Sequence, residues 1–232
     1  MSAYTERTAL LLGDEALARL QHATVAVIGL GGVGGTAAEA LARTGVGRLH
    51  LVDNDTVTPS NLNRQIFATK DTIGLPKTLA ARRRIEAVSD CIVTTADLFV
   101  TAETVQDALP PDCDFVLDAI DSLAGKVALA CCCTEKGIPM VACMGAGNRL
   151  DATAFSVRDV YETSNCPLAR RYRQALRKAG VMKMPCVVSS ETAQKSAVIA
   201  SIAPVTGAAG LVAAGYCIQV LTQFQANKGE TR

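Results

Sequence analysis

The 232-residue sequence contains no tryptophan, and aromatic residues make up only 4% of it. Its packing therefore has to rest on Ala, Val, Leu and Ile. It also lacks a dominant charge, with 23 Lys and Arg against 22 Asp and Glu. A whole-molecule attraction to nucleic acid is thereby excluded; DNA is not an expected partner, and any RNA contact has to come from a local basic patch. Charged residues reach 19% and hydrophobic ones 49%, which excludes a disordered chain. There are only two histidines, His22 and His50, which flank the first and second apolar runs and read as structural. None of the nine cysteines falls in a Cys-x-x-Cys pair, which argues against a structural zinc site. The opening Met-Ser-Ala-Tyr-Thr-Glu has no basic-then-apolar signal pattern, so a reduced, cytoplasmic protein is expected.

Charge is missing altogether from Ser196 to Asn227, a stretch long enough to span a bilayer. Pro204, Ser201, Thr206, Gln219, Thr222, Gln223 and Gln225 interrupt it, and Gly207, Gly210 and Gly215 suit close packing. A buried C-terminal helix is the expectation, and a membrane contact is not.

What is present alternates regularly. A helix capped by Asp14 is expected over Glu15 to Gln21, then a buried strand over Thr24 to Gly29 and a small-residue helix from about Thr36 to Arg43. Strands follow at Arg48 to Asp53, Cys91 to Ala96, Asp114 to Ala119 and Ile138 to Met144. Helices are expected between them at Lys77 to Val88, Ala102 to Leu109 and Leu123 to Lys136. This pattern implies an α/β, Rossmann-like, doubly wound and mainly parallel sheet. After Gly145 come strands at Phe155 to Asp159 and Val187 to Ser189, a basic helix at Pro167 to Ala179, and an apolar helix near Val205 to Leu221. One domain is expected over 1–232: a helical arm (1–22), a nucleotide-binding core (23–145) and a C-terminal α/β elaboration (146–232).

The first strand runs into Gly29-Leu30-Gly31-Gly32-Val33-Gly34, a G-x-G-x-x-G turn ahead of a helix. Such glycines let backbone approach a phosphate whose charge the helix N-terminus favours. Asp53, closing the next strand, suits ribose hydroxyls. These features make a nucleotide site without choosing the nucleotide, and on them alone an NAD-dependent dehydrogenase would be favoured. The residues that follow favour ATP: Asp53-Asn-Asp55, then Ser60-Asn61-Leu-Asn63-Arg64-Gln65, Pro76-Lys77, and Asp118-Ala-Ile-Asp121. A triphosphate calls for cations, and Mg²⁺ for a carboxylate. Read alone, Arg64 and Lys77 also fit surface cations, and Asp121 a helix cap.

In this order the motifs resemble the adenylation site of the ubiquitin-activating-enzyme superfamily. The resemblance implies ATP and Mg²⁺, with Asp53 on the ribose, Arg64 and Lys77 on the phosphates and Asp121 on Mg²⁺. It implies orienting roles for Asn61 and Gln65, supporting roles for Asp55 and Asp118, and a homodimer in which Arg7 reaches the partner's site. Glu6-Arg7-Thr8-Ala9, Met144-Gly-Ala-Gly-Asn148-Arg-Leu-Asp151 and Cys166-Pro167-Leu168-Ala169-Arg170 bring it closest to the tRNA threonylcarbamoyladenosine dehydratase branch. There the implied reaction adenylates a threonyl carboxylate on tRNA and closes it into a ring. The competing reading is activation of the C-terminus of a ubiquitin-like or sulfur-carrier protein, and a sulfur-relay protein partner is compatible with either. The segment from Ser190 to Ala203 is shorter than that branch leads one to expect.

Two basic clusters are candidates for RNA phosphates: Arg170, Arg171, Arg173, Arg177, Lys178 and Lys183, and a second run at Arg82, Arg83 and Arg84. Cys166 and Cys186, each beside a proline, are candidate nucleophiles. Cys131, Cys132 and Cys133 read as small helical core residues.

Overall fold

The computed structural model describes residues 3–223. Two short helices open it, α1 (Glu6–Leu12) and α2 (Asp14–His22), separated by Gly13 at φ +84°. Gly13, and not Asp14, occupies the cap position, and no side chain caps α2; Asp14 and Glu15 instead sit in its first turn, where they oppose the positive helix end. Next come β1 (Thr24–Ile28), α3 (Gly32–Thr44) and β2 (Arg48–Asp53). Helix α3 starts at Gly32, four residues before the sequence-based expectation, and ends at left-handed Gly45.

Helix α4 (Lys77–Glu86), β3 (Ile92–Asp97), β4 (Phe115–Asp118), α5 (Leu123–Lys136) and β5 (Met140–Cys143) complete the first half. The helix expected at Ala102 to Leu109 is absent, and a run of turns takes its place. The Thr101 hydroxyl accepts from the backbone of Glu103 and Thr104, and Thr104 Oγ1 donates to Phe99 O. These side chains compete with helical bonding, and Pro110-Pro111 blocks its continuation. The chain ends with β6 (Phe155–Asp159), α6 (Pro167–Lys178), β7 (Pro185–Ser189) and α7 (Ala203–Thr222).

The seven strands stand in the order β3-β2-β1-β4-β5-β7-β6, all parallel except β6, which pairs antiparallel with β7. This is the doubly wound sheet expected. Strands β1, β4 and β5 are buried along their whole length, because helices cover both faces. One core joins α3, α4 and α7 to the sheet through residues such as Leu41, Ile85 and Val205; the other joins α5 and α6 through Leu129, Tyr172 and Leu176.

Helix α7 is long and apolar enough to cross a membrane, yet 44% of its apolar window is buried. It packs along α3, and a Cβ at Gly210 would come within 2.4 Å of Val33 O. Gly207 and Gly215 have no such neighbour, so only one of the three glycines serves close packing. The end of the uncharged stretch, residues 224–227 with Gln225, lies outside the described residues.

Candidate active site

The sheet reverses its winding between β1 and β4, and a crevice opens there at the carboxyl ends of the strands, where α/β sheets hold ligands. The cleft has a volume of about 330 Å³. Gly29, Gly31, Gly32, Asp53, Asp55, Asn61, Arg64, Gln65, Lys77 and Asp121 all line it. Residues from five separate segments thus converge on one hollow.

Its floor is the glycine turn. Gly29 has φ +90°, and a Cβ there would lie 2.9 Å from Ala119. A Cβ on Gly34 would sit 1.8 Å from Gly29 O, so this position has no room for any side chain. Gly34 closes the turn from behind and does not line the cleft. Asp53 is almost buried and holds the turn in place: Oδ2 accepts from Leu30 N at 2.6 Å and Oδ1 from Asp55 N at 2.9 Å. Each carboxylate oxygen keeps a further lone pair for a ribose hydroxyl.

Two cations line the cleft. Lys77, the first residue of α4, is 7% exposed; its Nζ lies 2.7 Å from Asp55 Oδ2 and 3.7 Å from Asp53 Oδ1. Arg64 donates to Ser60 O and Asn63 Oδ1, both at 2.9 Å, and makes no ion pair among the described residues. Its positive charge is therefore uncompensated. Asn61 is spent on local structure, accepting from Thr58 N, while the Gln65 backbone N–H bonds Asn61 O.

Asp121 lines the cleft, is exposed, and has no hydrogen-bond or ion-pair partner among the described residues. It does not cap α5. Ser122 does, accepting from Gly125 N at 3.3 Å. Asp118 does not line the cleft: it is fully buried, with Lys126 Nζ 3.0 Å from its Oδ1. Burial pushes its carboxyl pKa up, against the charge and hydrogen bond of Lys126 that pull it down. Lys126 also donates to Cys143 O at 2.8 Å, tying the ends of β4 and β5 together behind the cleft. Asp118 Oδ1 in turn accepts from Ile120 N at 3.2 Å, next to Asp121.

Sequence reasoning did not single out three contributions. Leu98, Phe99 and Val100 form an apolar wall beyond β3. Their signal was an apolar triplet continuing past the end of a strand. The Lys126–Asp118 pair gave no signal, since a helical lysine usually reads as solvated. Thr206 of α7 reaches the turn from the far end of the chain, lying where a Cβ on Gly32 would go.

Arg7 lies exposed on α1 and does not line this chain's own cleft. Cys186 is fully buried with its thiol pushed up to about 12 by burial, which leaves no thiolate for attack at neutral pH. Cys166 is also buried, its sulfur accepting from Ala169 N at the start of α6. Cys132 and Cys133 are buried core residues, and Cys131 is half-buried.

No group of three or more His, Cys, Asp or Glu side chains forms a cage among the described residues. Asp121 is free while Asp118 is locked, so the fit is that of Mg²⁺ held by one carboxylate plus phosphate oxygens.

The chain is similar to known proteins over most of its length. The chain is 41% identical over 186 residues to the tRNA threonylcarbamoyladenosine dehydratase of Bacillus subtilis, covering 80% of this chain and 73% of that one. It is 42% identical over 193 residues to the enzyme of the same name from Escherichia coli, covering 79% and 72%. A crystal structure of the Escherichia coli dehydratase in complex with ATP superposes with a TM-score of 0.90 at 36% identity, covering 97% of this chain and 96% of that one. The profile of the ThiF family matches residues 4–232. With a glycine turn, two cations and a free aspartate meeting at the β1/β4 crevice, and with a match over nearly its whole length, this chain belongs to the ThiF family.

Proposed function

We propose that the protein is an ATP-dependent tRNA threonylcarbamoyladenosine dehydratase. The observation that carries the reading is the cleft at the β1/β4 crevice, which Arg64, Lys77, an unengaged Asp121 and the glycine turn all line. Its members suit a bound triphosphate: a turn whose backbone admits phosphate, two cations to neutralise it, and a carboxylate for Mg²⁺. Phe99 and its neighbours form the apolar side for a purine, and Asp53 takes the ribose.

The threonyl carboxylate is a poor electrophile until an oxygen becomes a leaving group. Attack of that oxygen on the α-phosphate of ATP forms an acyl-adenylate and releases pyrophosphate. Arg64 and Lys77 stabilise the negative charge that grows on the phosphates, Lys77 exchanging Asp55 for a phosphate oxygen. Asp121 would hold Mg²⁺, which supplies further charge neutralisation when bound. A nucleophilic atom of the substrate's own urea group then bonds to the acyl carbon, the bond to AMP breaks, and a proton leaves to solvent. Ring closure within one molecule has a high effective concentration, so no enzyme nucleophile is needed. That agrees with the unreactive setting of Cys186.

The enzyme works as a cytosolic homodimer, with residues 1–22, 23–145 and 146–232 acting as one unit. Helix α1 buries none of its residues, and Leu10 and Leu11 are 82% and 75% exposed beside Arg7. An apolar ridge of this kind suits a second copy whose cleft Arg7 enters.

The test incubates the protein with ATP, Mg²⁺ and tRNA bearing threonylcarbamoyladenosine, followed by mass spectrometry of the nucleosides. ATP-dependent loss of one water from that nucleoside, abolished by Asp121→Ala, is expected. An unchanged nucleoside from a folded, ATP-binding protein would overturn the reading and direct attention to a carrier-protein carboxylate.

A further inference from the structure

Among the described residues, seven cations are paired with an acid: Arg19 with Glu15, Arg43 and Arg84 with Glu39, Arg48 with Asp112, Arg82 with Glu86, Lys77 with Asp55 and Lys126 with Asp118. The run at Arg82 to Arg84 therefore loses two of its three charges to local acids. Of the cations without an ion pair, six cluster on α6 and just beyond it. Arg170, Arg171, Arg173, Arg177, Lys178 and Lys183 make no ion pair among the described residues. Helix α6 contains no acidic residue, and the acids nearest before it, Asp159 and Glu162, pair with none of these cations.

Two of the six are fixed inward. Arg173 Nη1 donates to Val160 O, Thr163 O and Thr163 Oγ1 at 3.1, 2.8 and 2.8 Å. Arg177 lies over the Tyr161 ring at 5.2 Å. Together they tie the turn at 160–163 to the helix. Arg170, Arg171, Lys178 and Lys183 are exposed, with no hydrogen-bond partner among the described residues. At the start of α6 a hollow of about 630 Å³ opens, lined by Ser164, Asn165, Arg170, Arg171 and Gln174 among others.

The direction of α6 relates this surface to the cleft. Tyr172 Oη donates to Lys126 O at 3.4 Å, in the first turns of α5, and Ala175 shares a groove with Val127, Ala128 and Cys131. Helix α6 lies beside α5 and runs in the same direction: β6 ends against the first residue of β7, and the segment that follows passes Arg177 at Tyr161 and then Arg173 at Thr163, running back along the helix to its start. Since α5 begins at the carboxyl end of β4, right after Asp121, the Pro167 to Arg171 end of α6 is directed to the edge of the sheet that carries the cleft. A polyanion laid along α6 leads toward the nucleotide.

We infer that the exposed face of α6, with the hollow at its start and Lys183 beyond its end, is the docking surface for the sugar–phosphate backbone of the RNA substrate, and that α4 is not. This rests on the tRNA-directed function proposed above. An unneutralised row of guanidinium and ammonium groups on a helix matches phosphate recognition, which positions a duplex without reading its sequence. Arginine also offers a planar fork to each phosphate.

The experiment measures binding of a fluorescent tRNA carrying threonylcarbamoyladenosine, and of its unmodified transcript, across a KCl series. It compares the parent with Arg170→Ala/Arg171→Ala, Lys178→Ala/Lys183→Ala and Arg82→Ala/Arg83→Ala, each checked for folding by ATP titration. Each pair removed from α6 is expected to weaken both RNAs roughly tenfold and to lower the slope of log affinity against log salt by about 1–2. The α4 pair is expected to change affinity by less than about twofold. Unchanged affinity and slope in the α6 variants, or a loss confined to the α4 variant, would overturn the inference while leaving the function standing. Failure of the parent to bind either tRNA would instead remove the function on which the inference stands.

Discussion

Lys126→Met would remove the ammonium from a pair in which both side chains are fully buried. The Asp118 carboxylate would then stay behind with one oxygen bonded to Ile120 N and the other, Oδ2, without a partner. Breaking a buried pair from one side costs about 3–5 kcal/mol, because a charge is left uncompensated in a dry interior. Asp118→Asn leaves the opposite charge stranded, its remaining partner being Cys143 O, and costs a similar amount. If the two sites were independent, the double variant would lose about 6–10 kcal/mol. With neither charge present, the loss should instead fall to about 1–3 kcal/mol, the cost of the lost hydrogen bonds. Urea unfolding at one protein concentration measures all four corners of the cycle. Additivity within about 0.5 kcal/mol would refute the pairing argument. The pH dependence supplies a second check. A carboxyl raised above its unfolded pKa binds its proton more tightly in the folded chain, so its contribution favours folding in acid and is lost as pH rises. Lys126→Met removes the attraction that holds Asp118 down. The deficit of that variant should therefore shrink as pH is lowered from about 8 to about 5, and a deficit that grows in acid would contradict the sign.

Gly34→Ala should abolish ATP binding and lower stability by about 1–3 kcal/mol or more, read by calorimetric titration and thermal melting, since its Cβ would overlap Gly29 O. Glu39→Gln should cost about 1–2 kcal/mol at neutral pH, through weakened bonds to Arg84 and Arg43. Burial pushes the Glu39 carboxyl up, but those arginines outweigh it and hold it below the usual range. Its stabilisation is therefore present above the ordinary carboxylate pKa and lost as pH falls through the lowered one, so parent and variant should converge in acid unfolding curves. Cys186→Ala should retain dehydration, and native protein at pH near 8 should resist alkylation there, because its thiol is pushed up to about 12; loss of turnover in a folded variant would restore it as a nucleophile.

The elements most legible in the sequence were those with unambiguous punctuation. The run from Thr24 to Gly29 into a glycine turn located β1 and the floor of the cleft, and the cations and carboxylates after Asp53 converge on that floor. Errors arose where spacing was right but competition was local. Ala102 to Leu109 has a helical apolar pattern, and Val105, Ala108 and Leu109 are indeed buried, but threonine side chains and a double proline took the backbone bonds. Asp118 and Asp121 look equivalent in a D-x-x-D motif. Their roles diverge because Asp118 ends β4 facing into the core, whereas Asp121 follows a two-residue exit to the surface. The partner that settles this, Lys126, lies eight residues away on a helix and carries no mark of burial in its own type. Likewise the two arginine runs read alike until Glu39, distant in sequence from Arg84, is found beside it.

Thr206 touching the glycine turn has a consequence for synthesis. The turn is complete as sequence once residue 34 has left the ribosome, yet the side chain that packs against Gly32 belongs to a helix beginning at Ala203. Strand β1 also stays open on one side until β4 arrives at Phe115. An emerging chain therefore carries the glycine turn long before that turn is packed, with its apolar flank uncovered. Such long-range closure is slow and leaves nascent intermediates prone to association. Ribosome-bound chains halted before residue 203 should accordingly fail to retain ATP, however well their first two hundred residues have collapsed.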